Sequence, residues 1–172
     1  MLFKKANLED FHRIKQFYWD LIDEMSDQND KIGWKKGIYP TDSFLQESLD
    51  RGELFVLEEG GLCASVILNS ACNEGYAGVT WSIECGENEI LVPHALAVSP
   101  SRQGKGIGRY FMEEILKLAK MEKEKEVRLD ILVTNTVAER LYTGCGFRFV
   151  QAKDMFYEDT GWTEYKMYER VL

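Results

Sequence analysis

Residues 90–108 read Ile-Leu-Val-Pro-His-Ala-Leu-Ala-Val-Ser-Pro-Ser-Arg-Gln-Gly-Lys-Gly-Ile-Gly, and the fold is decided by this stretch. Its first half, residues 90–98, is an apolar run broken only by Pro93 and His94, as expected of a strand buried on both faces. Pro93 has no amide hydrogen, so the strand either bends there or turns that position away from any ladder partner. After Ser99-Pro100 come Gly104, Gly106 and Gly108 at alternate positions, then an amphipathic helix to about residue 120, with Ile107, Phe111, Ile115, Leu118 and Ala119 on one face. Glycines remove β-carbons where the chain turns tightly and let a bulky anion touch the backbone. The first turn of the helix adds unpartnered amides and the positive end of the macrodipole. Arg102, Lys105 and Arg109 concentrate positive charge there in a chain whose formal net charge is −8. Gln103, Gly104, Lys105, Gly106, Ile107, Gly108 and Arg109 are therefore read as a backbone cradle for an anion of the diphosphate type.

Two familiar phosphate loops do not fit. The Walker string Gly-x-x-x-x-Gly-Lys-Ser/Thr is absent, and the Rossmann pattern needs a third glycine where Arg109 stands. A second motif follows at residues 135–147, Asn-Thr-Val-Ala-Glu-Arg-Leu-Tyr-Thr-Gly-Cys-Gly-Phe. Gln-x-x-Gly-x-Gly after Leu-Ala-Val-x-Pro, then Asn-x-x-Ala-x-x-Leu-Tyr-x-x-x-Gly-Phe, resembles the GNAT superfamily of acetyl-CoA-dependent N-acetyltransferases in both order and spacing.

The resemblance implies a mixed α/β (α+β) fold with a mostly antiparallel central sheet of about six or seven strands, one splayed strand pair and about four helices. It implies acetyl-CoA as acetyl donor and no metal. The pantetheine arm would lie in the splay against backbone groups of Leu96 and Val98, and the Val98 amide would polarise the thioester carbonyl. The cradle would hold the diphosphate. Asn135 would bond the pantetheine arm, and Tyr142 would sit near the sulfur and protonate the departing thiolate. From the residues alone, Asn135 is equally a helix N-cap and Tyr142 a core aromatic.

Amine acetylation needs a proton acceptor. His94 lies two residues before Leu96, and strand alternation places His94, Leu96 and Val98 on one face, which makes His94 the first choice of base. A structural histidine beside Pro93 is the competing reading. Glu84 is a second choice acting through water, and water itself a third. Residues 32–40, at the helix-to-helix position that shapes the acceptor pocket in similar enzymes, hold Trp34 and Tyr39, which line such a pocket, stack on a cationic amine or serve as aromatic packing that pins the loop; Glu84 is assigned to the same substrate region. Cys145 has no histidine paired with it in sequence, which favours direct transfer over an acyl-enzyme. The expected acceptor is a small-molecule or peptide amine. The alternative is a non-catalytic acyl-CoA-binding or sensor module of the same fold.

Working outward, residues 2–5 form a short strand, and Asn7 caps a helix carrying Phe11, Ile14, Tyr18, Leu21, Ile22 and Met25, which ends in the polar run 26–31. Thr41 caps a second helix to about residue 50. Residues 53–58 and 62–69 form a hairpin around Glu59-Gly60-Gly61, and residues 81–84 a strand fragment. Residues 127–133 are the next strand, a short helix runs from Asn135 to Thr143, and residues 147–151 and 164–171 are the last two strands. At 172 residues, without a linker or repeat, the chain is expected to be one domain, 1–172. The amino terminus lacks signal-peptide features and no apolar run is long enough for a membrane span, so a cytoplasmic protein with reduced cysteines is expected. The acidic balance argues against nucleic acid and anionic membranes as partners. A homodimer is compatible with the resemblance.

Overall fold

The computed structural model describes residues 1–26 and 32–172. In chain order the elements are β1 (Leu2–Lys5), α1 (Phe11–Ser26), α2 (Asp42–Asp50), β2 (Leu54–Glu58), β3 (Leu62–Asn69), β4 (Ile90–Val98), α3 (Ile107–Met121), β5 (Glu126–Leu132), α4 (Thr136–Gly144), β6 (Arg148–Tyr157) and β7 (Gly161–Val171). The strands form one seven-stranded sheet in the order β1-β2-β3-β4-β5-β7-β6. Every neighbouring pair is antiparallel except β4 and β5. This is the mixed α/β arrangement that the sequence implies.

Local chemistry sets the element ends. Thr41 Oγ1 accepts from the Phe44 amide at 3.0 Å and opens α2. Asn7 opens a short 3-10 turn, Leu8–Asp10, and its amide donates to Asp10 Oδ2 at 2.9 Å, so the α-helix proper begins only at Phe11. The polar run expected after the first helix lies, beyond Ser26, outside the described residues.

The sheet is covered on both faces. Phe111, Ile115 and Ala119 of α3 and Tyr142 of α4 pack with Val66 of β3 and with Val127, Leu129 and Ile131 of β5. Across the sheet, Ile14, Tyr18 and Leu21 of α1 and Leu45 and Leu49 of α2 pack on Val56, Ile67 and Ala97. Over β5–β7 that second face is covered by residues 70–89, with Tyr76 against Met155, Tyr165 and Met167. Side chains pin this segment. The Arg128 guanidinium lies 4.3 Å over the Trp81 ring, and the Ser82 amide donates to Glu169 Oε2 at 2.9 Å. These contacts take the place of a ladder, and the strand fragment expected at 81–84 does not form. The final hairpin is longer than expected, because Lys153, Met155 and Tyr157 continue the alternation of β6 past residue 151.

Two irregularities in β4 create the cleft. The parallel ladder to β5 holds only two pairs, Ile90↔Glu126 and Leu91↔Val127. The Leu68 amide bonds Glu53 O on the β2 side, so in the Leu68↔Pro93 pair the edge that lacks a donor turns toward β5, where the ladder has ended. Farther along, Ser65 pairs with Ala97 and Ile67 with His94, so β4 carries one extra residue. Ala95 takes up that bulge at φ +51°. Its carbonyl accepts the Tyr18 hydroxyl at 2.7 Å, which anchors the bulge to α1.

Candidate active site

A cleft of about 520 Å³ opens where β4 and β5 part. It passes through the plane of the sheet. On the α3 and α4 face it is lined by Gln103, Gly104, Gly106, Gly108 and Arg109, and by Asn135 and Tyr142. On the other face it is lined by Trp34 and Tyr39, by Tyr157 and Tyr165, and by Asp159. Between the faces lie Leu96 and Val98 of β4 and Asp130 of β5.

The glycine turn has the geometry the sequence predicts. Gly104 and Gly106 adopt φ of +73° and +80°, and a β-carbon on either would meet no atom within 4 Å, so both stand open to the cleft. Gly106 is the N-cap of α3, whose first amides have no backbone acceptor within the helix. Ile107 contributes only its backbone, since its side chain is buried against the α3-side core. Lys105 does not line the cleft; its Nζ bonds Ser101 O at 3.0 Å. Arg109 is exposed and paired with Glu113 at 3.1 Å.

Ser99 N donates to Cys63 O at 2.9 Å, so by ladder alternation the Val98 amide and carbonyl turn from β3 toward the gap. Gln103 Nε2 reaches that carbonyl at 3.2 Å. Asn135 caps α4 through Oδ1, which accepts from Ala138 N at 3.1 Å. The cap uses the amide oxygen and leaves the Nδ2 donors to the cleft. Tyr142 is buried, stacks edge-on against Phe147 at 5.6 Å, and its phenol is pushed up by burial, so it stays protonated.

The bulge at Ala95 overturns the expected alternation. Leu96 and Val98 pack toward α3, whereas His94 lines the cleft from the α1 and α2 face, opposite Ile67 and edge-on to Phe44 at 6.4 Å. His94 Nε2 is 2.9 Å from Asn69 Oδ1, and burial pushes its pKa down to about 4. Glu84 is exposed and does not line the cleft.

Asp130 was missed by the sequence reading. It stands in β5 at the edge of the gap, where Oδ2 accepts the Tyr76 hydroxyl at 2.9 Å and the Tyr157 hydroxyl at 2.8 Å. Burial pushes its carboxyl up to about 6, against the opposing pull of those two donors. The only sequence signal was a lone carboxylate between the apolar positions Leu129 and Ile131. The loop at 32–40 closes this side: Trp34 packs on Tyr39 at 5.9 Å, and Lys35 Nζ bonds Asp159 O at 2.8 Å.

The acetyltransferase (GNAT) domain profile matches residues 50–149. The chain belongs to the GNAT acetyltransferase family. It is 33% identical over 93 residues to the N-alpha-acetyltransferase RimI of Mycobacterium tuberculosis, a match covering 54% of this chain and 56% of that protein. The chain thus spans about half the length of the curated relative it matches. Among solved GNAT structures it is similar to an acetyltransferase of Streptococcus agalactiae, with TM-score 0.80 at 16% identity over 99% of this chain and 95% of that one. It is also similar to a phosphinothricin acetyltransferase of Sinorhizobium meliloti in complex with acetyl-CoA, with TM-score 0.71 at 16% identity over 99% of this chain and 88% of that one. At these identities the likeness is one of fold. Among the described residues no cluster of three or more His, Cys, Asp or Glu could hold a metal ion, and no helix is long and apolar enough to cross a membrane.

Proposed function

We propose that this GNAT chain transfers the acetyl group of acetyl-CoA to a primary amine by direct attack, with Asp130 accepting the amine proton. The observation that carries this reading is the cleft through the sheet, with the glycine turn on one face and a half-buried carboxylate at the edge of the gap, beside an aromatic pocket on the other. The fit to the donor rests on open glycines at positive φ, the Val98 amide turned into the gap and the free donors of Asn135. Acetyl-CoA supplies an activated thioester. The cradle from Gln103 to Arg109 binds the diphosphate through amides, and the Val98 amide stabilises charge on the carbonyl oxygen.

The acceptor enters from the side of Trp34 and Tyr39, whose aromatic walls disfavour an ammonium deprived of water and so lower the amine's own pKa. The amine nitrogen bonds the acetyl carbon as the carbon–sulfur bond breaks. Its proton passes to Asp130, and the departing sulfur takes one from Tyr142. Asp130 suits this role better than His94, because at neutral pH its carboxylate is ionised yet retains affinity for a proton. Cys145 is half-buried with its thiol pushed up by burial, which suits packing rather than an acyl-enzyme. RimI-type chemistry makes a peptide α-amine one member of the acceptor class to assay.

The test is thiol release from acetyl-CoA over a panel of small amines and short peptides. Turnover with at least one amine is expected, rising with pH through about 6. Asp130→Asn is expected to lower kcat by roughly 100-fold or more. Acetyl-CoA binding without thiol release on any amine would favour the sensor reading.

A further inference from the structure

The Asp130 carboxylate is gripped from two sides by hydroxyls that arrive from distant parts of the chain. Both bonds land on Oδ2, and no other hydrogen bond or ion pair reaches Asp130 among the described residues, which leaves Oδ1 without a protein partner in a residue that lines the cleft. Tyr157 comes from β6. Tyr76 comes from the irregular segment 70–89, and its place there is built with care. Lys153 Nζ donates to Gly75 O at 2.9 Å and to Ala77 O at 3.1 Å, clamping the turn that carries Tyr76 onto β6. A β-carbon on Gly75 would come within 2.7 Å of Met155 Cγ, so the turn lies flush on the strand only because residue 75 is glycine. The Tyr76 ring is buried against Trp81, 5.4 Å between centroids.

We propose that Tyr76 and Tyr157 are positioning residues that aim Oδ1 of Asp130 at the acceptor amine, and that residues 70–89 serve to deliver Tyr76 to that carboxylate. The proposal rests on the reading of Asp130 as proton acceptor. Two donors on one oxygen fix the plane of the carboxyl group and favour its ionised form, so they keep the base charged against the cost of burial. The titratable groups around Asp130 are Tyr76 and Cys72 from residues 70–89, Tyr157 of β6, Tyr165 of β7, Tyr142 of α4 and Tyr39 of the 32–40 loop. Asp159, with Lys35 at its carbonyl, lines the same cleft, and Arg128 stands two residues from Asp130 on the same face of β5, over Trp81. Burial pushes each of these phenols and the thiol upward, so they are uncharged at neutral pH, and among the described residues the direct partners of Asp130 are the two hydroxyls. Lost donors would therefore be felt by Asp130 directly.

Tyr76→Phe and Tyr157→Phe keep the rings and remove one donor each. The Asp130 carboxyl is followed by carbon NMR in the full chain without substrates, alongside the pH dependence of kcat/KM with the best amine of the panel. Each variant is expected to raise the Asp130 titration by about one pH unit. The acid limb of kcat/KM should move by the same amount, with the KM for acetyl-CoA unchanged. Lys153→Met, which frees the turn but keeps both hydroxyls, should move both in the same direction by less. An Asp130 titration unmoved in both tyrosine variants would overturn the proposal, whatever the rates do. If the titration moves but the acid limb survives in Asp130→Asn, the assignment of Asp130 as base falls, and with it the aiming role of the tyrosines. A limb abolished by Asp130→Asn and shifted by Tyr76→Phe supports both.

Discussion

The two ends of the cleft are built in opposite ways. The end proposed to hold the donor is made of backbone: glycines at positive φ, helix amides and one strand amide, all within residues 98–109, with Asn135 and Tyr142 added from the helix after β5. The acceptor end is made of side chains gathered from α1, the 32–40 loop, residues 70–89, β5 and the β6–β7 hairpin. A backbone site grips a feature common to all donors of one class and tolerates little change of conformation. A side-chain site can be rewritten residue by residue, which is where substrate choice resides.

The strongest way to break this contrast is at Gly106. Gly106→Val forces a β-branched residue to φ +80° and places its side chain in the open cradle, where no protein atom needs to move. Affinity for acetyl-CoA, measured by calorimetry, is expected to fall about 100-fold. A loss under threefold would remove the cradle from the donor site.

On the acceptor half, Glu169 supports residues 70–89 through Ser82 and Arg148. Burial raises its carboxyl, yet the Ser82 bonds, a bond with Glu126 and the Arg148 guanidinium together hold it at about 2, below the ordinary 4.5. A depressed carboxylate adds stability above about pH 4.5 and loses it as pH falls toward 2. Glu169→Gln is expected to cost about 2 kcal/mol at pH 7 by chemical denaturation, with a smaller deficit at pH 3.

Smaller effects sharpen the roles of individual groups. Tyr142→Phe should lower kcat about tenfold, less than a usual catalytic acid, because a thiolate is already a fair leaving group. His94→Ala should change kcat by less than about threefold while costing roughly 1 kcal/mol of stability, since the ring's bond to Asn69 is lost but no proton transfer is. A large rate loss there, with an intact fold, would return the base role to His94.

The same contrast explains what could be read before the structure. The donor end follows from contiguous sequence: strand, glycines, helix, then Asn135 and Tyr142 at fixed spacing in a short helix. Thr41, the β2–β3 hairpin and the glycine turn are likewise local choices with local signals. Asp130 was hidden because a carboxylate on an otherwise alternating strand looks like the solvated face, and nothing periodic in residues 70–89 announces that they cover it. That His94 lines the cleft from the face opposite Leu96 and Val98 has a different cause. Ala95 adopts φ +51° without being glycine, asparagine or aspartate, so the bulge that reverses the alternation left no trace in residue type. It is held in place by Tyr18, which lies 77 positions earlier in the chain.

The two-pair junction of β4 with β5 also bears on how the molecule opens. A sheet joined so narrowly is expected to exchange its amide hydrogens fastest at that junction, while the α3 and α4 core, which packs on both β3 and β5, ties the two sides together. The Val98 amide, turned into the gap, is expected to be among the faster-exchanging amides of β4. A donor seated there acts as the missing rung, and at 100 times its Kd it would add about 2.7 kcal/mol of stability. If the donor sits where the proposed function puts it, the gap is also where it would fasten the two halves of the sheet together.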